Sequence, residues 1–352
     1  MAEKIFDFFA AANGYGGFRS YFDTVFNSND YDKIFVIKGG PGTGKSSFMK
    51  KMAQKYLELG CDIEKIHCSS DPNSLDGVIL EKENKRIAFL DGTAPHERDA
   101  AVVGAIDEII NLGASLDTRF LTAKKNEILA LNKEKKKAYA TAYYYLEIAG
   151  LAAKKKKAIA VSNFNTEKAK NGIKYLAEYS SPAESLSEKT RLISAFGSHG
   201  KSRLTTIEKS AKKLYSIVGD YYASSLLLNE IHKLFLSLRN DIYIFASPLD
   251  SDCIEAIYLP SQSIGFTLGT EGEKIDSEDY IFPADKADNE RVKKAAEIEG
   301  CALEESMRWF SIASDLHFRL EDLYIGAMDF DINDKIFEQK VREIDNILES
   351  RG

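Results

Sequence analysis

Residues 33–59, KIFVIKGGPGTGKSSFMKKMAQKYLEL, constrain the fold more than any other stretch of the chain. Ile34, Phe35, Val36 and Ile37 form an unbroken apolar run, as expected of a strand buried on both faces. Phe48, Met49, Met52, Ala53, Tyr56 and Leu57 recur at helical spacing, and Gly60 stands where a helix C-cap belongs. Between them Gly39, Gly44, Lys45 and Ser46 fit G-x-x-x-x-G-K-[ST], the phosphate-binding pattern known as the P-loop. Glycines at 39, 40, 42 and 44 let backbone N–H groups turn inward without Cβ clashes. The helix starting near Lys45 aims its positive end at the same anion. The expected cradle is Gly39, Gly40, Pro41, Gly42, Thr43, Gly44, Lys45, Ser46 and Ser47. Lys45 is expected on the β- and γ-phosphates of ATP, and the Ser46 hydroxyl on Mg²⁺.

A second feature belongs to the same chemistry. Residues 85–91, KRIAFLD, read as an apolar strand ending in Asp91, which is expected to bind Mg²⁺ directly or through water. Gly92 follows, where many ATP hydrolases carry a water-polarising Glu, so the base is left open. Thr93, His96 and Glu97 are near in sequence, and Asp71 approaches from the end of a second strand at 62–68; strand ends are where α/β ligands collect. Lys45, Asp91, His96 and Glu97 are therefore the catalytic candidates. His67, Cys68 and His96 show no metal-ligand spacing.

The chain of 352 residues is long enough for one to three domains. No apolar run reaches transmembrane length. The first residues, MAEKIFDFFAAANGYGG, lack a basic start followed by a long apolar core, so no signal peptide is expected. Four scattered cysteines without CxxC suit a reducing cytoplasm. Loop residues Asn13–Gly17 are expected to lead into an amphipathic helix carrying Phe18, Tyr21, Phe22, Val25 and Phe26. Residues 101–113 also read as a helix. A long heptad-like helical stretch over about 118–161 follows, with Lys135 interrupting its seam and Gly150 marking a bend. Ser180, Ser181 and Pro182 mark the expected boundary, giving a nucleotide-binding repeat at 1–182 with an arm at about 116–180. A second repeat spans 183–352, with an arm at about 287–350.

The second repeat reads as a degenerate copy. Residues 33–52 match 213–231, 62–80 match 241–259, 86–93 match 263–270, and 162–180 match 328–346, in the same order. In this alignment Ser225 takes the lysine position and Leu268 that of Asp91, so the copy is not expected to bind Mg-nucleotide. AFGSHGKS at 195–202 resembles a looser phosphate loop, but its register matches Asn13–Gly17. It is read as a decoy, with a secondary anion site at Lys201 and Ser202 left open.

The charge distribution follows the repeats. Residues 118–180 hold fourteen Lys and Arg against five Glu, a net +9 within an overall −7. Residues 290–350 hold fifteen acidic and eight basic side chains. The two arms either lie against each other, or the basic arm at 118–180 binds nucleic acid, another polyanion or a protein through phosphate-type contacts.

The combination GGPGTGKSS, HCSSDPNSLDG and FLDGTAPHE resembles a family of two-repeat bacterial P-loop ATPase-like proteins, over the whole length and most strongly at 33–113. That resemblance implies a nucleotide-binding fold with Lys45, Ser46 and Asp91 at the P-loop and Walker B positions. In the family the second repeat usually keeps its own P-loop, whereas GDYYASS stands there in this chain. The expectation is thus an α/β P-loop fold, a parallel sheet flanked by helices, duplicated, with long helical arms. The chain is read as a cytoplasmic Mg-ATP-binding protein and ATP hydrolase. A phosphotransferase on a small molecule or nucleotide, and a non-enzymatic switch, remain alternatives. Arg203, Arg291 and Arg308 are eligible to supply charge to the γ-phosphate.

Overall fold

The computed structural model describes residues 5–184 and 186–350. β1 (Ile5–Phe9) leads into a hairpin, β2 (Ala11–Gly14) and β3 (Gly17–Ser20), and a one-turn helix, α1 (Phe22–Val25). β4 (Lys33–Lys38), α2 (Lys45–Glu58), β5 (Asp62–His67), β6 (Leu75–Lys82), β7 (Lys85–Asp91) and β8 (Asp107–Asn111) follow. α3 (Thr118–Ala123) opens an arm, α4 (Lys125–Asn163) forms its length, and α5 (Thr166–Gly172) with a 3-10 turn at Lys174–Tyr179 closes it.

The chain then repeats this order. β9 (Glu188–Leu192), β10 (Ser194–Gly197), β11 (Gly200–Arg203), α6 (Thr206–Ser210), β12 (Lys213–Val218) and α7 (Tyr221–Ser237) come first. β13 (Ile242–Ala246), β14 (Ile254–Leu259), β15 (Ile264–Leu268) and β16 (Glu273–Asp276) complete the strands, and α8 (Lys286–Ile325) and α9 (Phe330–Glu349) form the second arm.

Twelve strands make one continuous sheet whose halves meet where β1 and β9 run antiparallel at Phe9 and Leu192. Outward from that seam the order is β1-β5-β6-β7-β4-β8 on one side and β9-β13-β14-β15-β12-β16 on the other. The sheet is mixed rather than parallel throughout. β4 pairs in parallel with β7 and β8, but β6 is antiparallel to β5 and β7. Only Glu83 and Asn84 connect β6 to β7, and a parallel pair needs a crossover of about a dozen residues.

Three local expectations give way. Residues 101–113 contain an edge strand, β8, in place of a helix. Its side chains alternate, with Ile109 half exposed and Ile110 buried. Asp107, wholly buried, accepts the N–H groups of Ala101 and Val102 and fixes the turn that precedes it. The expected helix at Phe18–Phe26 is reduced to β3 and the single turn α1. Gly150 does not bend α4, which runs unbroken through it. It instead leaves room for Tyr15: a Cβ there would lie 2.4 Å from the Tyr15 ring.

α4 and α8 pack antiparallel along their length. Lys135 meets His317 at 3.3 Å, Ser306 donates to the Ala142 carbonyl at 2.9 Å, and Lys156 pairs with Glu299 at 2.7 Å. Beyond this pair the arms exchange partners. α9, from the end of the chain, buries Ile344 against Phe48, Met49 and Tyr56 of α2 in the first half. α5 and its 3-10 turn, from the first arm, bury Ala169, Ile173 and Leu176 against Tyr215, Leu228 and Phe235 of the second half. The hairpins cross as well: Gly14 abuts the Pro248 carbonyl, and Gly197 abuts Ser69 and Ser70. The divide expected at residue 182 falls in the connector between half-sheets, yet each core is completed by a helix from beyond it.

Candidate functional site

β4 delivers the chain to the loop Gly39–Gly44 at the end of the sheet, and α2 leaves from it. Gly42 and Gly44 have φ of 69° and 83°, the left-handed region that glycine enters at little cost. Gly44 is the N-cap of α2 and offers no side-chain cap, so the first amides of α2 stay available to an anion. The loop is otherwise braced. Thr43 Oγ1 donates to the Gly40 carbonyl at 2.8 Å, and Asn333 Nδ2 of α9 donates to the Thr43 carbonyl at 3.0 Å. Ser115 Oγ in turn donates to Asn333 Oδ1 at 2.8 Å.

The structure brings Lys45 and Asp91 together, with Ser46 beside Lys45 in the first turn of α2. Lys45 Nζ lies 3.6 Å from Asp91 Oδ2 and donates to the carbonyls of Gly39 and Gly40 at 3.2 and 2.9 Å. Asp91 sits opposite Ile37 of β4 because β7 and β4 are neighbours. Burial pushes the Asp91 carboxyl up, against the pull of Lys45 and of Thr93, whose N–H and hydroxyl both donate to Oδ1. Ser46 Oγ accepts the Leu75 N–H at 2.9 Å. Ser47, the next residue along α2, is exposed, and Pro41 lies at the rim of the loop. A hydroxyl and a carboxylate are hard oxygen donors of the kind Mg²⁺ takes alongside phosphate oxygens, so this pair fits that ion.

Several other candidates go elsewhere. Glu97 is exposed and lines a shallow cleft with Asp23, Ser28 and Arg98. Asp71 accepts the Ser74 hydroxyl and the Asn73 N–H, holding a turn. His67 is taken by Asp7 at 2.8 Å and the Pro72 carbonyl at 2.7 Å. Arg203, Arg291 and Arg308 pair locally with Glu208, Asp288 and Glu305. Lys201 is paired with buried Glu255 at 2.8 Å within the β10–β11 hairpin, where no helix begins. In the lysine-rich arm, Lys156 and Lys157 are tied to Glu299 and Asp250, while Lys133, Lys136 and Lys155 are exposed.

His96 is buried. Its Nε2 lies 3.0 Å from Asp76 Oδ2, and its ring stacks on Phe22 with centroids 4.3 Å apart. Asp76 went unnoticed in the sequence because it stands inside turn chemistry, ahead of the apolar run Val78–Leu80.

The second set of unforeseen residues comes from the arms. The α8 C-terminal turn lies over the loop: a Cβ on Gly40 would be 2.8 Å from the Tyr324 ring, and one on Gly42 would be 2.8 Å from the Glu321 carbonyl. The Glu321 carboxylate lies 3.5 Å from His317; His317, the Gly42 amide and Lys45 together hold its pKa below the usual range against the opposing effect of burial. No sequence signal links residue 321 to residue 42.

The corresponding place in the second half is closed. α7 begins at Tyr221, directly after Gly219 and Asp220, and Asp220 caps it by accepting the N–H groups of Tyr222 and Ala223. Glu278 accepts the Asp220 N–H at 2.8 Å, so carboxylates already occupy this helix end. Ser225 Oγ accepts the Ile254 N–H at 2.9 Å, as Ser46 does from Leu75. Ser225 therefore stands at the place of Ser46, and Ser224, not Ser225, at that of Lys45; the loop is one residue shorter than the alignment assumed. Leu268 opposes Ile217 as Asp91 opposes Ile37.

The fold thus defines a mixed α/β protein with one large sheet and a pair of long helices, and among the described residues no helix is long and apolar enough to cross a membrane. No protein-family model, curated protein or solved structure matches the chain.

Proposed function

We propose that this chain is a cytoplasmic Mg-ATP-binding P-loop protein, a duplicated P-loop fold with one competent site, and that it hydrolyses ATP there. It would then belong with the two-repeat ATPase-like proteins that its motifs resemble. One contrast carries the reading. The helix end at Gly44 has no side-chain cap, carries Lys45 and Ser46 in its first turn and has Asp91 3.6 Å from Lys45, whereas its counterpart at Asp220 is capped by its own carboxylate. An uncapped helix end with a lysine beside it is an anion site, and a capped one is not.

In this reading the backbone N–H groups of residues 42–46 hold the β-phosphate, and Lys45 turns from the Gly39 and Gly40 carbonyls onto the β- and γ-phosphate oxygens. Ser46 and Asp91 would hold Mg²⁺, which would neutralise charge on the phosphates. Asn333 and Ser115 keep the loop in shape from the α9 side. The exposed lysines of the first arm offer a phosphate-type surface to a polyanion or protein.

A second reading, a nucleotide switch without turnover, is supported by Glu321, which ties the arm pair directly to the loop. One experiment separates them: equilibrium binding of Mg-ATP and phosphate release, wild type beside Lys45→Ala. Binding lost in the variant together with release by the wild type is the expected result for a hydrolase. Binding without release supports the switch, and equal binding by both proteins refutes the site.

A further inference from the structure

Hydrolysis needs a group that holds the attacking water, and position 92 is unable to supply one. A Cβ on Gly92 would lie 2.4 Å from Val36 Cγ1 and 2.9 Å from the Arg98 carbonyl, so no carboxylate fits there. The neighbouring strand has one. Asp76 lies on β6 one step beyond the Gly77–Leu90 pair, which brings it beside Asp91 at the end of β7. Its negative charge is close enough to be felt by Asp91. The β5–β6 register shifts at this step, with Ile66 facing Gly77 and His67 facing Leu75, so Asp76 is a bulged residue freed from strict pairing. Bulges of this kind re-aim a side chain next to a site.

The surroundings of Asp76 are built. It is 7% exposed, and its Oδ2 is held by His96 Nε2 at 3.0 Å. His96 is itself 7% exposed, clamped by Phe22 and Phe18, and its Nδ1 is buried without a partner. A buried imidazole nitrogen without a partner costs stability, and what the imidazole does in return here is hold the Asp76 carboxylate.

The second half supplies an internal comparison. Ile254 corresponds to Leu75 through the matching serine bonds, so Glu255 corresponds to Asp76. Glu255 is equally buried, but it is bonded to Lys201 at 2.8 Å, Tyr221 at 3.0 Å and Ser194 at 2.5 Å. A permanent cation and two hydroxyls take up three of the roughly four acceptor sites of that carboxylate. Among the described residues Asp76 is paired with a histidine, and the Cys68 thiol and the Asp91 carboxylate lie near it; no lysine or arginine pairs with it.

We propose that Asp76 is the catalytic carboxylate of the site and that His96 is its positioning residue, an inference that rests on the ATP hydrolase reading. Asp76 accepts a hydrogen bond from the water and takes that proton as the water O–H bond breaks. The water oxygen bonds to the terminal phosphorus as the bond from phosphorus to the bridging oxygen breaks. The proton held at Asp76 passes to the departing phosphate, leaving ADP, dihydrogen phosphate and an unchanged carboxylate.

The test measures Mg-ATP affinity, kcat and KM for phosphate release, and thermal melting for the full chain and its variants Asp76→Asn, His96→Gln, Glu97→Gln and Lys45→Ala. Loss of a general-base contribution lowers rates about 10²–10⁴-fold, so Asp76→Asn is expected to lower kcat at least about 100-fold with affinity and melting unchanged. His96→Gln, which keeps a hydrogen bond but not the ring, is expected to lower kcat about tenfold at unchanged KM, a modest share of the same contribution. Glu97→Gln is expected to match the wild type. Turnover by Asp76→Asn within threefold of a hydrolysing wild type overturns the proposal. If Asp76→Asn fails to fold, a His96→Gln enzyme with wild-type kcat overturns it. Wild-type binding without phosphate release refutes the role of Asp76 while leaving the nucleotide site standing. Absence of any binding that Lys45→Ala removes refutes the site itself, and the inference with it.

Discussion

If nucleotide enters the Gly39–Ser46 loop, it must displace an anion that is already there. The Glu321 carboxylate is drawn by the Gly42 amide and by Lys45, and His317 on the preceding turn lies 3.5 Å from it. Its pKa lies below the ordinary carboxylate value of about 4.3, so at neutral pH it is fully charged and competes with phosphate for the same donor. A hydrogen bond to a charged group contributes about 1.5–3 kcal/mol. The side chain is 30% exposed, which places the contact at the lower end, and about 1.4 kcal/mol is tenfold in affinity. Glu321→Ala is therefore expected to tighten Mg-ATP binding about tenfold, read by titration of a fluorescent ATP analogue at pH 7.5, with Glu321→Gln in between. The two proteins should differ less at high salt, because part of the competition is long-range. Unchanged or weaker binding by Glu321→Ala would refute the competition. Weaker binding in particular would mean that the carboxylate helps to hold the ligand. By reciprocity, nucleotide that expels Glu321 also loosens the Lys135–His317–Glu321 chain joining the two arms.

Two further predictions concern the docking of α9 and the exchange of helices. Lys340 of α9 bonds to Glu108 of β8, and Lys33 of β4 reaches both Glu108, at 2.9 Å, and Glu343, at 3.2 Å. Burial pushes the Glu108 carboxyl up, but the two ammonium groups outweigh it and hold its pKa at about 2. A depressed acid stabilises the fold above its unfolded pKa, about 4.3, and loses that contribution as pH falls toward its folded value. The protection of α9 amides, taken relative to their intrinsic exchange rate at each pH, should therefore fall between about pH 4.5 and pH 2, and Glu108→Gln should remove that step while weakening α9 docking at pH 7. Separately produced fragments 1–182 and 183–352 should each expose the face that the other's helix covers. They should bind a hydrophobic dye alone and form a stable complex on mixing; two dye-free, independently cooperative fragments would contradict the exchanged arrangement.

What could be read from the sequence was local. Strand, loop and helix at 33–59 follow from an apolar run, glycines where φ turns positive and a 3.6-residue period, all within one short stretch. Asp91 joined them because a strand that ends in a carboxylate is brought beside β4 by the sheet. Short elements were misread: five residues of β8 carry too little period to separate a strand from a helix, and buried Asp107, which settles the matter, looks like any acid in a turn. The repeat was legible as an order of elements but not to the residue. Only the paired serine bonds at Leu75 and Ile254 show that Ser224 faces the place of Lys45.

The residues that distinguish this site from a generic glycine loop lie about 280 positions away. Asn333, Tyr324 and Glu321 reach it because α8 runs back along α4 and because α9 packs on α2 rather than on its own half. This arrangement also accounts for the charges. The lysine-rich first arm and the acidic second arm are not simply neutralised against each other, since only Lys156–Glu299 is an ion pair between α4 and α8 among the described contacts. The acidic arm instead places Glu321 on the loop and Glu343 on Lys33, while much of the lysine surface stays free of it. An arm that ends on the Gly39–Gly44 loop and lies against a basic helix is physically able to report the state of one to the other, and the pathway is short: Gly42, Glu321, His317, Lys135.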